Sequence, residues 1–160
     1  MQRYKTLILV SITIVILDQL TKAIITSYLS LHQSIEVISG FFNIIYIRNP
    51  GAAFGLFSSG SESLRILFLT GVSIAALIAI FLVYRSIKNN AAYSIALSLI
   101  AGGAVGNLID RIRFGEVIDF LDVYIGRYHW PAFNVADSAI TIGVFIAVFS
   151  LYGSKNGLPA

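Results

Sequence analysis

The chain of 160 residues contains no cysteine, which excludes a disulfide framework, a thiolate nucleophile and any cysteine metal site. Histidine is nearly as scarce. His32 and His129 lie far apart and form no HxxxH-type pattern, so no metal centre is expected. Charge is thin as well: Asp, Glu, Lys and Arg make up 12% of the residues, against 57% hydrophobic ones. A soluble domain of this length needs a far more polar surface, so lipid is the expected solvent. A net charge of +3 invites a nucleic-acid reading, but the basic residues form no run and no aromatic-interleaved patch, so no nucleic-acid partner is expected. Internal repeats and low-complexity segments are also missing.

What is present in quantity is apolar helix. About 20 mostly apolar residues cross a hydrocarbon core, and four stretches meet or approach that length: residues 7–25, 64–84, 91–109 and 135–152. The first, led by Arg3 and Lys5, resembles a secretory signal peptide. No A-x-A-like cleavage site follows it and three further spans do, so it reads as an uncleaved helix. Four spans put both termini on the side of the Arg85–Asn90 connection. That side carries Arg3, Lys5, Arg85, Lys88 and Lys155 and no acid, which places both termini in the cytoplasm. The segments 29–62 and 111–134 then lie outside. Ile35–Phe57 is rich in Ile, Val and Phe with Gly and Pro punctuation, and Arg111–Phe133 has Gly115, Gly126 and Pro131 as breakers; both read as short strands and turns. The expected fold class is an all-α membrane protein of four transmembrane helices, one domain over residues 1–160, with a small β-rich extracytoplasmic platform or lid.

Several polar residues sit where lipid would not favour them. Asp18 falls about 17 Å into the first span, at 1.5 Å per residue from Leu7, with Lys22 four residues on along the same face. An ion pair with Lys22 snorkelling to the interface is the plain structural reading; a functional role is the other, since intramembrane acids are functional candidates. "AGGAVGNLIDR", residues 101–111, contains a Gly102-x-x-x-Gly106 spacing that lets two helices approach closely. Beyond it, Asn107 and Arg111 share a face, and Asp110 with Arg111 reads as an interfacial pair or as part of a polar wall. In "FNVADSAITIG", Asp137 can cap the last helix, or Asn134 can orient it as a reacting carboxylate. Asp119 and Asp122 lie among Ile118, Phe120, Leu121 and Val123.

With no cysteine and no serine in a catalytic constellation, the chemistry these residues suit is acid–base work by two aspartates. Two carboxyls held close share one proton; one activates water while the other protonates a leaving amine. Asp137 ranks first. Spacing leaves Asp119 and Asp122 undecided, because the two share a face in a helix and oppose each other in a strand. The rival class is a small proton-coupled carrier with Asp18, Lys22 and Asp137 as a relay, although the inner halves of the spans carry no ionisable residue.

"DQLTK", "RNPGAAFGLF", "GGAVGNLIDR", "EVIDFLDVY" and "PAFNVADSAITIG" occur in this order along nearly the whole chain. In order and spacing they resemble the lipoprotein signal peptidases, or signal peptidase II. The resemblance implies a four-helix aspartyl membrane protease of the bacterial inner membrane, monomeric and free of metal and cofactor. It would cut diacylglyceryl-modified prolipoproteins before the lipidated cysteine, near the outer face. It implies a dyad of Asp119 and Asp137, with Asn49, Asn107, Arg111 and Asn134 lining or supporting the site. Asp18 and Lys22 match the polar pair of the family's first helix.

Overall fold

A computed structural model describes residues 2–51, 61–86 and 90–155. Four helices and four strands follow one another along these residues: α1 (Gln2–Tyr28), β1 (Ser34–Ile38), β2 (Phe42–Asn49), α2 (Glu62–Ser86), α3 (Ala91–Phe114), β3 (Val117–Ile125), β4 (Tyr128–His129) and α4 (Val135–Lys155). The end of the expected Ile35–Phe57 segment, and Lys88, lie outside the described residues.

Three helices, α1, α2 and α3, are long and apolar enough to cross a membrane; the apolar part of α4, Val135–Leu151, is shorter. Each helix outruns the apolar stretch that announces it, because a helix does not stop where hydrophobicity does. In α3 the helix continues five residues past Ile109 to Phe114. The segment expected to be extended from Arg111 therefore begins as helix. Gly115 ends it in the left-handed conformation (φ 74°), its N–H donating to the Arg111 carbonyl, a termination that glycine makes at no steric cost.

Half of the apolar window of α3 is buried, against none of that of α2, so α3 is the centre of the bundle. Small residues make this possible. A Cβ on Gly102 would lie 2.9 Å from the Ser11 carbonyl oxygen of α1, and one on Gly106 would lie 2.7 Å from an Asp18 carboxylate oxygen. The two glycines spaced by four residues thus face α1. Gly103 faces the backbone of Ala136 in α4, and Gly143 of α4 faces the Ala96 carbonyl.

At one end of the bundle the strands form an antiparallel sheet in the order β1-β2-β3-β4. Register in the central pair runs from Phe42 opposite Val123 to Asn49 opposite Val117, with a bulge between Ile44 and Ile47. The sheet is fastened to α1 by one apolar cluster: Ile25 and Leu29 against Tyr46, Ile118 and Phe120. Strand alternation then turns Asp119, between Ile118 and Phe120, to the other face. Asp119 accordingly stands in a strand.

Candidate active site

Five elements deliver polar side chains to the junction of sheet and helices. α1 brings Asp18, Gln19 and Lys22; α3 brings Asn107, Asp110 and Arg111; β2 and β3 bring Asn49 and Asp119; and the start of α4 brings Asn134 and Asp137.

The start of α4 folds around a reciprocal pair of bonds. Asn134 precedes the helix and its Oδ1 accepts from the Asp137 N–H at 2.9 Å, while Asp137 Oδ2 accepts from the Asn134 N–H at 3.3 Å. This is a capping box. The cap is therefore Asn134, and Asp137 sits one turn inside, where its own carboxylate also faces outward from the box. Asp137 Oδ1 accepts from Asn107 Nδ2 at 2.7 Å.

Asp119 is held in the same manner from the other side. Its Oδ2 accepts from Asn49 Nδ2 at 2.9 Å and its Oδ1 from Asn134 Nδ2 at 2.8 Å. Asn49 is itself fixed, because its Oδ1 accepts from the Gly51 N–H at 2.8 Å. Asn134 touches both carboxylates, one by side chain and one by backbone, and its Nδ2 also reaches Asn107 Oδ1 at 3.2 Å. Among the described residues, each carboxylate thus accepts from neutral amides only. Burial above all raises the Asp119 carboxyl and the nearby Asp137 charge adds to this, while the bonds from Asn49 and Asn134 and the charge of Lys22 pull the other way, with a net value of about 6. A carboxyl in this condition exchanges its proton near neutral pH.

Below this pair lies a charged layer. Lys22 is 2% exposed, so its ammonium does not snorkel; it turns inward and donates to Asp18 Oδ2 and Asp110 Oδ2, both at 2.8 Å, and to Asn107 Oδ1 at 3.1 Å. Its three N–H donors have three acceptors. Asp18, fully buried, accepts from the Ala136 N–H at 3.0 Å, an anion placed at the positive end of α4. Lys22, through Asn107, joins this layer to Asp137.

Two expectations change. Asp110 pairs with Lys22 rather than with Arg111. Arg111, half-buried, reaches Ser73 of α2 at 3.4 Å and stands within electrostatic reach of Asp137, Asp110 and Asp119. Asp122 points to the opposite face of β3 from Asp119, as strand alternation requires. There it accepts from Asn43 Nδ2 and faces His129 Nδ1, each at 2.8 Å. The eight site residues that the family resemblance implied, Asp18, Lys22, Asn49, Asn107, Arg111, Asp119, Asn134 and Asp137, converge on one region. One member of the network, Gln19, was missed, and Asp110, expected as the partner of Arg111 or as part of a polar wall, joins the network through α1. Gln19, beside Asp18 in "DQLTK", donates to Asp110 Oδ1 at 2.9 Å; nothing in the spacing of the two motifs announces that meeting. Among the described residues, no three His, Cys, Asp or Glu side chains are placed to hold a metal ion.

The family profile described as signal peptidase (SPase) II matches residues 10–152. The chain belongs to the signal peptidase II family. Its members are aspartic proteases, so the carboxylate chemistry above has a family to stand in, and the carrier alternative has none. The chain is 54% identical over 151 residues to the lipoprotein signal peptidase of Syntrophus aciditrophicus, covering 92% of this chain and 94% of that one. It is 53% identical over 150 residues to the lipoprotein signal peptidase of Desulforapulum autotrophicum, covering 93% of each. A solved bacterial membrane enzyme, obtained by the in meso method at 1.9 Å resolution, superposes with a TM-score of 0.80 at 42% identity over 92% of both chains. Apolar helices and signal peptidase II membership together identify a bacterial membrane protein.

Proposed function

We propose that this signal peptidase II removes the signal peptide from diacylglyceryl-modified prolipoproteins, cleaving before the lipidated cysteine, with Asp119 and Asp137 as the reacting pair. The observation that carries the assignment is the shared clamp: Asn134 bonds to both carboxylates, and among the described residues every direct donor to either is uncharged. Two carboxyls so held take one proton between them, because neutral donors do not stabilise a second negative charge as a cation would.

In the reaction, the ionised carboxylate takes a proton from water as the water oxygen attacks the scissile carbonyl carbon. The protonated partner gives its proton to the carbonyl oxygen, forming a gem-diol. Collapse of that intermediate breaks the C–N bond, and the leaving amine of the lipidated cysteine takes up a proton from the pair. Asn49 and Asn134 orient Asp119, and Asn107 orients Asp137. Arg111 is positioned to hold a substrate carbonyl. Asp18 and Lys22 fix α1 against the start of α4. Neither a metal nor a cofactor enters this scheme.

The charge bias along the chain supports a four-span topology with both termini cytoplasmic and the sheet outside, in the inner membrane. A lipid-modified substrate would enter laterally from the bilayer and lay its scissile segment beside the sheet, with the enzyme working as a monomer. The test is turnover of a diacylglyceryl-modified prolipoprotein by the purified Asp119→Asn and Asp137→Asn variants. Each is expected to lose at least about 10²–10⁴-fold in kcat, while Asp122→Asn, on the other sheet face, keeps substantial activity. Normal turnover by either of the first two would overturn the pairing.

A further inference from the structure

Asp110 is ionisable and 1% exposed, yet it touches neither proposed reacting carboxylate. Its three bonds tie three elements together. Oδ1 accepts from Gln19 Nε2 of α1 at 2.9 Å; Oδ2 accepts from Lys22 Nζ of α1 at 2.8 Å and from the Ile118 N–H of β3 at 3.1 Å. The last of these is the telling one. Ile118 immediately precedes Asp119, and its carbonyl oxygen accepts from Asn134 Nδ2 at 3.1 Å. Both polar ends of residue 118 are therefore clamped by side chains, the N–H by α3 and the C=O by the residue that starts α4. The connection from α3 to β3 is only Gly115 and Glu116, so Asp110 holds the strand almost at its root.

On the reading given under Proposed function, we propose that Asp110 is a positioning residue for the reaction: by accepting from the Ile118 N–H it fixes the peptide that carries Asp119, and so the alignment of Asp119 with Asp137. The carboxylate suits this task better than a neutral acceptor. A charge-assisted bond is stronger, and Lys22 Nζ, 2.8 Å from Oδ2, holds the carboxylate in place. Reacting groups tolerate little displacement, about 0.5 Å before alignment suffers and about 100-fold in rate for 1 Å. A residue that sets the backbone one position away from a reacting carboxylate acts on kcat without acting on substrate binding.

Two substitutions separate this role from a general contribution to folding. Asp110→Asn keeps an oxygen that can accept from the Ile118 N–H; Asp110→Ala keeps none. With purified full-length protein and a diacylglyceryl-modified prolipoprotein, Asp110→Ala is expected to lower kcat about 100-fold with KM within about twofold. Asp110→Asn is expected to lower kcat by less than about tenfold, a partial rescue. Hydrogen exchange supplies a readout independent of turnover. The Ile118 amide should be protected in the native protein and exchange faster in Asp110→Ala. The Phe120 and Leu121 amides, which bond to the Phe133 carbonyl, should keep their protection.

A native kcat in Asp110→Ala, or a loss expressed in KM, overturns the proposal. So does an Ile118 amide that exchanges freely in the native protein. If Asp110→Ala does not accumulate folded, Asp110→Asn decides: a reduced kcat with native KM and faster Ile118 exchange supports the role, and unchanged values of both refute it. Asp119→Asn is run alongside. If that variant turns over normally, the reacting pair itself is wrong, a failure distinct from that of Asp110.

Discussion

Each carboxylate of the proposed pair accepts two hydrogen bonds from amides, and the nearby ammonium of Lys22 spends its three donors on Asp18, Asp110 and Asn107 instead. That division lets burial dominate at Asp119, whose carboxyl rises from an ordinary 3.8 to about 6. The shift carries a stability consequence. A folded-state value raised above the unfolded one means that the protonated form is favoured by folding. The contribution of Asp119 is therefore most favourable below pH about 4 and is lost as pH rises through about 6, a change on the order of 3 kcal/mol. Asp119→Asn, which cannot ionise, should be more heat-resistant than the native protein at pH 7.5. Thermal unfolding in detergent should show that advantage growing from pH 4 to about 6 and levelling off above. A constant difference across that range would contradict the account of Asp119.

At the scale of elements, the site depends on close approach of backbones. Gly106 lies against the Asp18 carboxylate, with no room for a methyl group. Asp18 in turn binds Lys22 and the Ala136 N–H. Gly106→Ala should therefore push Asp18 away from α4, costing about 1–3 kcal/mol by overpacking and lowering activity; a native unfolding midpoint in this variant would count against the packing described. Much of this level was legible in the sequence. The four apolar stretches became four helices, and the Gly102-x-x-x-Gly106 spacing marked a helix contact. The Val- and Ile-rich segment before the second span became β1 and β2. What escaped has a common cause. Asp110 was read with its chain neighbour Arg111, and Lys22 with the interface, because spacing along a chain reports only local partners. The bond from Asp110 to Lys22 joins residues that meet only when α1 and α3 pack. The helix α3 likewise runs on to Phe114, past the end of its continuous apolar stretch at Ile109. The choice between Asp119 and Asp122 was open for the same reason, since it turns on whether their segment is strand or helix; strand geometry sends them to opposite faces.

For the molecule as a whole, the arrangement sets a polar network at the junction of an apolar bundle and a small sheet, with Asp137 left partly open and Asp119 closed in. In the topology proposed, that junction lies at the outer boundary of the bilayer, where a substrate anchored by its own lipid meets it without leaving the membrane. Lipid anchoring would raise the local concentration of the scissile segment beside the pair. The most direct test offers the purified protein one prolipoprotein sequence in two forms, with and without the diacylglyceryl group on its cysteine, and maps the products by mass spectrometry. The account predicts a single cut immediately before the cysteine, in the lipidated form and not in the unlipidated one. Equal cleavage of both forms, or a cut elsewhere, would contradict it.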